Sequence, residues 1–123
     1  MAKILIVDDE EMIRDILATF LSREGFETEQ ACDGQEGWEI LQEIPIDLVV
    51  LDVRMPRMTG LELVEKIRAD INLSNMPVIM LTTENRPEDH IAGYDTGADD
   101  YVAKPVEREI FVSRVRALLK RVA

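Results

Sequence analysis

The chain has 123 residues, 46% of them hydrophobic, and 25 acidic against 14 basic residues give a net charge of −11. This length fits one domain, since ordinary domains run to about 100–150 residues. The negative charge disfavours direct binding to nucleic acid, which needs a basic surface, and favours binding of a cation or of a basic partner. A single cysteine and a single histidine exclude an intramolecular disulfide and a two-histidine metal site.

Neither a membrane span nor a secretory signal is visible in the sequence. No stretch approaches the roughly 20 apolar residues that cross a bilayer, and the N-terminal apolar run Ile4–Val7 is too short for a signal. We therefore expect a soluble, cytoplasmic protein that forms one domain over residues 1–123 and has no membrane partner.

Five short segments predict β-strands. Four of them are apolar runs rich in Val, Ile and Leu, which is typical of strands buried on both faces of a parallel sheet. The remaining one, second in the chain, alternates and carries charge, as an edge strand does. In chain order the segments are Ile4–Val7, Phe26–Ala31, Ile46–Leu51, Val78–Leu81 and Tyr101–Ala103.

Segments with the apolar spacing of helices follow the strands. The first helix is predicted from one stripe, Ile13, Ile16, Leu17, Phe20 and Leu21. Later helices are predicted at Gly37–Glu43 with Trp38 and Leu41 toward the core, around Leu61, Val64 and Ile67, at Pro87–Thr96, and from Phe111 to Val122. Gly60 and Gly97 are predicted to be hinges with positive φ.

The alternation of strand and helix, five times over, predicts an α/β fold. Five units are too few for an eight-stranded barrel, so we expect an open, doubly wound parallel sheet with right-handed crossovers. The expected strand order is 2-1-3-4-5, that of a flavodoxin-like (βα)5 domain. Such sheets bind their ligands at the carboxyl ends of the strands.

Polar residues follow four of the predicted strands. They are Asp8, Asp9, Glu10 and Glu11 after the first strand, Asp52 after the third, Thr82 and Thr83 after the fourth, and Lys104, followed by Pro105, after the fifth. Neighbouring strands lie about 4.8 Å apart, so these residues predict one polar pocket. Carboxylates that share a pocket repel each other, and Mg²⁺ relieves that repulsion. A polar cluster without chemistry stays open on spacing alone.

Four motifs surround these residues, at Ile4–Glu10, Leu51–Gly60, Leu81–Thr82 and Gly97–Pro105. In this order they resemble the bacterial two-component response-regulator receiver family (CheY-like) over the whole chain. The resemblance implies that Asp52 is the nucleophile, which takes a phosphoryl group from a sensor histidine kinase or phosphotransfer protein. It also implies Mg²⁺ ligands, namely Asp8 (mainly through water), Asp9, Asp52 and the backbone carbonyl of Arg54.

The same resemblance implies a readout. Lys104 neutralises charge on the transferring group, and its bond to Pro105 is expected to be cis. Thr82 and Tyr101 are the implied switch residues, which transmit the change to an output face for an unknown downstream effector. That output face comprises the predicted helix at 87–96, the fifth strand and the last helix. The implied protein is not an enzyme beyond catalysing its own phosphorylation and dephosphorylation.

Some residues depart from the family pattern. Thr83 stands where the family usually has alanine or glycine, and Arg54 and Glu84 are hypothesised to form an ion pair that slows phosphate loss. A phosphorylation-dependent dimer is compatible with the charges of Asp99, Asp100, Arg114 and Arg121. However, His90 and Ile110 stand where a basic and an acidic residue are expected, so one charge pair is missing.

Two rival functions remain open at this point. A phosphohydrolase of the haloacid-dehalogenase type also uses an aspartate nucleophile, but its D-x-D pattern is absent because Val53 and Arg54 follow Asp52. Such enzymes also carry a cap domain, for which the chain has no room. The second rival is an inert scaffold that binds partners without phosphorylation, against which stands the presence of Asp8, Thr82 and Lys104.

Overall fold

The computed structural model describes residues 1–55, 57–83 and 97–122. The strands are β1 (Lys3–Val7), β2 (Glu27–Ala31), β3 (Leu48–Asp52), β4 (Val78–Thr83) and β5 (Asp100–Lys104). The helices within the described ranges are α1 (Glu11–Ser22), α2 (Gly34–Glu43), α3 (Gly60–Ala69) and α4 (Arg108–Val122). The helix predicted at 87–96, with His90, lies outside the described residues, as does Glu84.

The five strands form one parallel sheet in the order β2-β1-β3-β4-β5, which confirms the predicted doubly wound α/β fold. The central strand β3 is buried along its whole length because helices cover both faces of the sheet. The edge strand β2 is exposed at Glu27 and Gln30, which agrees with its charged, alternating sequence. None of the described helices is long and apolar enough to span a bilayer.

Two apolar layers lie on opposite faces of the sheet. Residues of α2 and α3 pack on one face, including Leu41, Leu63, Val64 and Ile67. Residues of α1 and α4 pack on the other, including Leu17, Leu21, Phe111 and Val115. Because successive strand residues point to opposite faces, neighbours such as Leu5 and Ile6 contribute to different layers.

The predicted apolar stripe of α1 is wrong at one position. Leu17 and Leu21 are fully buried, but Ile16 is 41% exposed. The residue before Leu17 is turned by about 100° around a helix of 3.6 residues per turn, so it leaves the buried line. Ile16 therefore shares the outer surface of α1 with Met12, which is also exposed.

The second helix begins three residues earlier than predicted, at Gly34 rather than Gly37. The side chain of Asp33 is the N-cap, accepting a hydrogen bond of 2.8 Å from the backbone N–H of Glu36. Leu41 is buried as expected. Trp38 packs partly against the core, with the Lys66 ammonium 4.8 Å from its ring centroid.

The two predicted hinge glycines have different roles. Gly97 has φ +94°, as predicted, in the left-handed region that glycine adopts without steric cost. The prediction for Gly60 is wrong, because its φ is not positive. A Cβ at position 60 would instead overlap the carbonyl oxygen of Asp52. Glycine therefore lets the start of α3 lie directly against the end of β3.

Gly60→Ala should lower the free energy of unfolding by about 1–3 kcal/mol, because the added methyl group meets rigid backbone. Urea unfolding followed by circular dichroism measures the loss. Gly37→Ala is the matched control and should lose less stability than Gly60→Ala. Its Cβ would lie 3.0 Å from a methyl group of Val7, a side chain rather than backbone, and alanine stabilises a helix interior by up to about 1 kcal/mol relative to glycine. Equal stability of Gly60→Ala and the parent would contradict the close-packing role.

Candidate functional site

Three side chains meet at the carboxyl edge of the sheet. The ammonium Nζ of Lys104 lies 3.0 Å from Oδ2 of Asp8 and 3.3 Å from Oδ2 of Asp52. The same Nζ lies 3.7 Å from Oε1 of Glu10. The predicted strand-end pocket therefore exists, with Lys104 bridging the aspartates that follow β1 and end β3.

Hydrogen bonds hold the acidic loop after β1, Asp8–Glu10, in place. The backbone N–H of Asp8 donates to the carbonyl of Ala31 at 3.1 Å, and its Oδ1 accepts a hydrogen bond of 2.9 Å from the N–H of Glu10. The Arg14 guanidinium donates to the carbonyl oxygen of Asp8 at 2.7 Å. These contacts hold the Asp8 carboxylate in place while its Oδ2 faces Lys104.

Asp52 and Lys104 are placed by their strands. Asp52 is the last residue of β3, and its Oδ1 accepts a hydrogen bond of 3.3 Å from the N–H of Arg54. Lys104 ends β5 in register with Thr83 of β4. The Lys104–Pro105 peptide bond is cis, as predicted. The strand ends thus present a carboxylate and an ammonium to each other across the intervening strand β4.

Burial in this pocket disfavours the ionised form of the two aspartates. Asp8 is fully buried and Asp52 is only 9% exposed. Loss of solvation raises the pKa of Asp52 to about 6, although the Lys104 ammonium acts in the opposite direction. Burial also raises the pKa of Asp8. Burial disfavours the charged form of Lys104, but Asp52 and Asp8 outweigh it and raise the pKa of the ammonium.

The acidic loop fits a metal ion by its donor chemistry. Carboxylate oxygens of Asp8, Asp9 and Glu10 can lie within 4.8 Å of one another, and Mg²⁺ prefers oxygen ligands of this kind. Asp8 and Asp9 were predicted as ligands, whereas Glu10 was not assigned a role. The carboxylate of Asp52 lies on the other side of Lys104, whose ammonium contacts both Asp8 and Asp52. Ligation by the carbonyl of Arg54 stays a prediction.

The predicted switch residues lie on β4 and β5, on the output side of Asp52. Asp52 is in register with Leu81, so Thr82 is one residue further along the adjacent strand, and it is buried. Tyr101 is half-buried on β5, opposite Met80, and packs against the layer that contains α2 and α3. Their role in transmitting a signal stays a prediction.

Three of the four charges assigned to a dimer, Asp99, Asp100 and Arg114, have partners within the chain. The Arg68 guanidinium binds Oδ2 of Asp99 at 2.9 Å, and Arg114 binds Oδ1 of Asp100 at 2.8 Å. Ile110, at the start of α4, is 46% exposed. A dimer that used these aspartates would therefore have to exchange intrachain ion pairs for intermolecular ones.

Residues 4–116 match the sequence family described as the response regulator receiver domain. The chain belongs to this family. One relative is the DNA-binding dual master transcriptional regulator RpaA of Synechocystis sp., 39% identical over 121 residues, which are 98% of this chain and 50% of RpaA. Another is the transcriptional regulatory protein SrrA of Staphylococcus aureus, 40% identical over 119 residues, or 97% and 48%. The chain spans about half the length of these curated relatives.

Solved receiver structures have the same fold. The signal receiver domain of a signal transduction histidine kinase from Syntrophus aciditrophicus superposes with a TM-score of 0.94 at 34% identity, covering 99% of this chain and 92% of that one. The Vibrio cholerae chemotaxis protein CheY4 gives 0.89 at 36% identity, covering 96% and 98%. The family and the fold agree, so this chain is a receiver domain of two-component signalling.

Some residues that shape the receiver site were not assigned roles from the sequence. Arg14 could have been found, because side chains in the first turns of a helix point back toward its N-terminus, where Asp8 lies. Glu10 belongs to the acidic run but was not distinguished from its neighbours. The ion pair between Arg57 and Asp33 has no local signal, because its partners are 24 residues apart in different loops.

Asp52→Asn should stabilise the metal-free receiver domain at neutral pH. The folded pKa of Asp52, about 6, lies above the ordinary value of 3.8, so the ionised carboxylate opposes folding. This cost is absent below the unfolded pKa and fully present above the folded pKa. We expect a gain of about 1–3 kcal/mol near pH 7.5, disappearing as the pH falls from about 6 to about 4.

Urea unfolding across this pH range, with chelator present, measures the effect. Glu65→Gln is the matched control, because Glu65 is an exposed residue of α3 and its loss should change stability by less than about 0.5 kcal/mol. An Asp52→Asn protein that is less stable than the parent above pH 6 would contradict the electrostatic account.

Proposed function

We propose that this receiver domain is a phosphorylation-dependent switch with Asp52 as the phosphoacceptor. The observation that carries the proposal is the Lys104 ammonium held 3.0 Å from Asp8 and 3.3 Å from Asp52 at the carboxyl edge of the sheet. The pocket places a nucleophilic carboxylate beside fixed positive charge and an acidic loop suited to a metal ion. These are the groups that phosphoryl transfer needs, because the protein's part in it is positioning and electrostatic stabilisation.

Mg²⁺ is the cation we assign to the acidic loop. Asp8, Asp9, Asp52 and the carbonyl of Arg54 would hold it, with Glu10 close enough to contribute. When bound, the ion supplies charge neutralisation between the carboxylates and the phosphoryl oxygens. The raised pKa values of Asp8 and Asp52 support this assignment, because burial removes solvation from both carboxylates and Lys104 offsets that loss only in part.

Phosphoryl transfer proceeds by attack of an Asp52 carboxylate oxygen on phosphorus. The new O–P bond forms while the N–P bond to the donor histidine breaks; the donor ring, protonated by solvent on its other nitrogen, leaves as neutral imidazole, and the phosphoryl group stays on Asp52. Lys104 stays beside Asp52 and stabilises the charge on the phosphoryl oxygens. Hydrolysis of the aspartyl phosphate by water restores the carboxylate. The domain thus catalyses only its own phosphorylation and dephosphorylation.

The donor is a sensor histidine kinase or a phosphotransfer protein, and the recipient of the signal is a downstream effector. RpaA and SrrA are named as transcriptional regulators, which favours an effector that controls transcription. Direct contact of this domain with nucleic acid is disfavoured by its net charge of −11. We assign the domain to the cytoplasm, where such donors and effectors act.

Within the domain, Thr82 and Tyr101 transmit the change to the output face. Thr82 adjoins the end of β3, and Tyr101 lies on the same strand as Lys104. A phosphoryl group on Asp52 therefore acts on β4 through Thr82 and on β5 through Lys104. The result is a population shift of the output face, which can include a phosphorylation-dependent dimer.

Phosphorylation of Asp52 should be visible directly by intact mass spectrometry. With Mg²⁺ and acetyl phosphate, the parent protein should gain the mass of one phosphoryl group, and Asp52→Asn should gain none. Asp70→Asn, the same change at a half-buried aspartate outside the site, should behave as the parent. Chelation of Mg²⁺ should abolish the gain, because the carboxylates then repel the donor.

Two results would count against this proposal. A parent protein that gains no mass under these conditions would contradict the phosphoacceptor role. Steady turnover of p-nitrophenyl phosphate would instead favour the phosphohydrolase, because a receiver domain modifies only itself.

Thr82→Ala should separate phosphorylation from its readout. The variant keeps Asp52 and Lys104, so it should still gain one phosphoryl group. Its backbone amide shifts along β5 and α4, measured by NMR before and after phosphorylation, should fall to less than about half of those in the parent, since Thr82 no longer reports the modification. Thr83→Ala, one residue further on the same strand, is the control and should keep the full response. Undiminished shifts in Thr82→Ala would remove Thr82 from the readout.

A further inference from the structure

The loop between β3 and α3, residues 53–59, contains a strained residue. Arg57 has φ +64°, and among the described residues other than glycine it alone has a positive φ. Asparagine and aspartate tolerate this conformation better than arginine, whose Cβ crowds the backbone. Such a conformation persists where the surrounding structure holds it. The side chain of Arg57 shows what holds it.

The Arg57 guanidinium forms an ion pair with Asp33, across from the loop. Asp33 is 2% exposed, so its carboxylate depends on close partners. Its Oδ1 accepts the N–H of Glu36 at the start of α2, and its Oδ2 accepts the guanidinium N–H. The Glu36 amide and the Arg57 charge lower the pKa of Asp33 despite burial. One buried carboxylate therefore caps α2 and anchors the β3–α3 loop.

A second contact joins the same two segments. A Cβ at Gly34, the first residue of α2, would overlap the carbonyl oxygen of Met58. The backbone after Arg57 therefore lies directly on the first turn of α2. This contact is independent of the ion pair, and the two together fix Arg57 and Met58 against the first turn of α2.

The base of the loop is closed beside the phosphorylation site. The N–H of Gly60 donates to the carbonyl of Val53 at 3.0 Å. Between them, the N–H of Arg54 donates to Oδ1 of Asp52 at 3.3 Å. The loop thus carries the Arg54 backbone onto Asp52 at one point and is held to α2 at another.

We propose that Arg57 and Asp33 are positioning residues, whose ion pair sets the β3–α3 loop so that the Arg54 backbone is aligned on Asp52. Neither residue touches the reacting atoms. Their effect reaches the site through Arg54, whose N–H orients the nucleophile and whose carbonyl is an assigned Mg²⁺ ligand. The inference rests on the proposed function and deepens it, because it makes the α2 N-terminus part of the control of phosphoryl uptake.

Two isosteric or conformationally tolerant changes break the ion pair while keeping the N-cap of α2; Asp33→Asn also removes the oxygen that accepts the Cys32 thiol at 3.7 Å. Arg57→Asn keeps a residue that accepts positive φ. Asp33→Asn keeps a side-chain oxygen that can cap α2. Each should lower the rate of phosphorylation by acetyl phosphate, at subsaturating Mg²⁺, by roughly 5- to 20-fold, since small displacements at a reacting centre are costly. The double variant should be no slower than the slower single variant, because both remove one interaction.

A second readout does not depend on phosphorylation. NMR titration of the unphosphorylated protein with Mg²⁺ should show the Arg54 amide displaced in each variant and the Mg²⁺ dissociation constant raised by about 3- to 10-fold. Arg57→Lys, which keeps the charge, should partly restore both the Arg54 amide shift and the Mg²⁺ dissociation constant. Arg116→Asn breaks the ion pair of Arg116 with Glu24 on another surface and should leave both at the parent level.

The outcomes separate the two proposals. A parent protein that takes up no phosphoryl group contradicts the proposed function, while the Arg54 amide and the Mg²⁺ titration still decide on the ion pair. If the parent reacts and both single variants match it in rate and in Mg²⁺ affinity, the positioning role is overturned, even if their stability falls. Rate losses that multiply in the double variant would also overturn it, because they show two independent effects.

Discussion

The contact of Lys104 with both Asp8 and Asp52 is the constraint around which the rest of the domain is arranged. The three residues stand at or next to the carboxyl ends of β1, β3 and β5, so the position of each charge follows from the parallel sheet. Lys104 offsets the carboxylates only in part, since the pKa of Asp52 remains raised to about 6. The domain therefore keeps an electrostatically unfavourable pocket at one edge of a well-packed apolar sheet. Such a pocket is suited to binding additional positive charge.

The same arrangement explains how much of the fold the sequence could predict. Runs such as Val49–Leu51 have no exposed face, so their apolar character signals burial between helices whatever their neighbours are. Positions that depend on packing between elements carry no such signal. Gly60 is the clearest case. Either a positive φ or a close approach to the backbone of Asp52 would require glycine at this position, and the sequence does not show which of the two applies. The exposed side of α1 at Ile16 was missed for a related reason, since periodicity gives the face of a helix only to within one residue.

The site shows the same division. Strand-end residues were predictable because a parallel sheet brings all its carboxyl ends to one edge, and Asp8, Asp52 and Lys104 do meet there. The pair of Arg57 and Asp33 was not predictable from either residue. Arginine is uncommon at positive φ, and the N-cap at Asp33 gives no sign of a partner in a distant loop. Contacts between loops depend on where the helices that flank them pack, and that is a property of the assembled domain.

On the proposed function, β5 is the element that connects chemistry to output. It ends in Lys104 at the site and begins with Asp100, which binds Arg114 of α4 at 2.8 Å. A phosphoryl group on Asp52 carries more negative charge than the carboxylate it replaces, so it attracts Lys104 more strongly. Tyr101 lies between these two ends of the strand and is half-buried. A displacement of β5 would then act on the Asp100–Arg114 pair directly, and the exposed Ile110 of the same helix would move with it. On the same proposal the Asp100–Arg114 pair would belong to the transmission of the signal, because a dimer or an effector that binds there would compete with it.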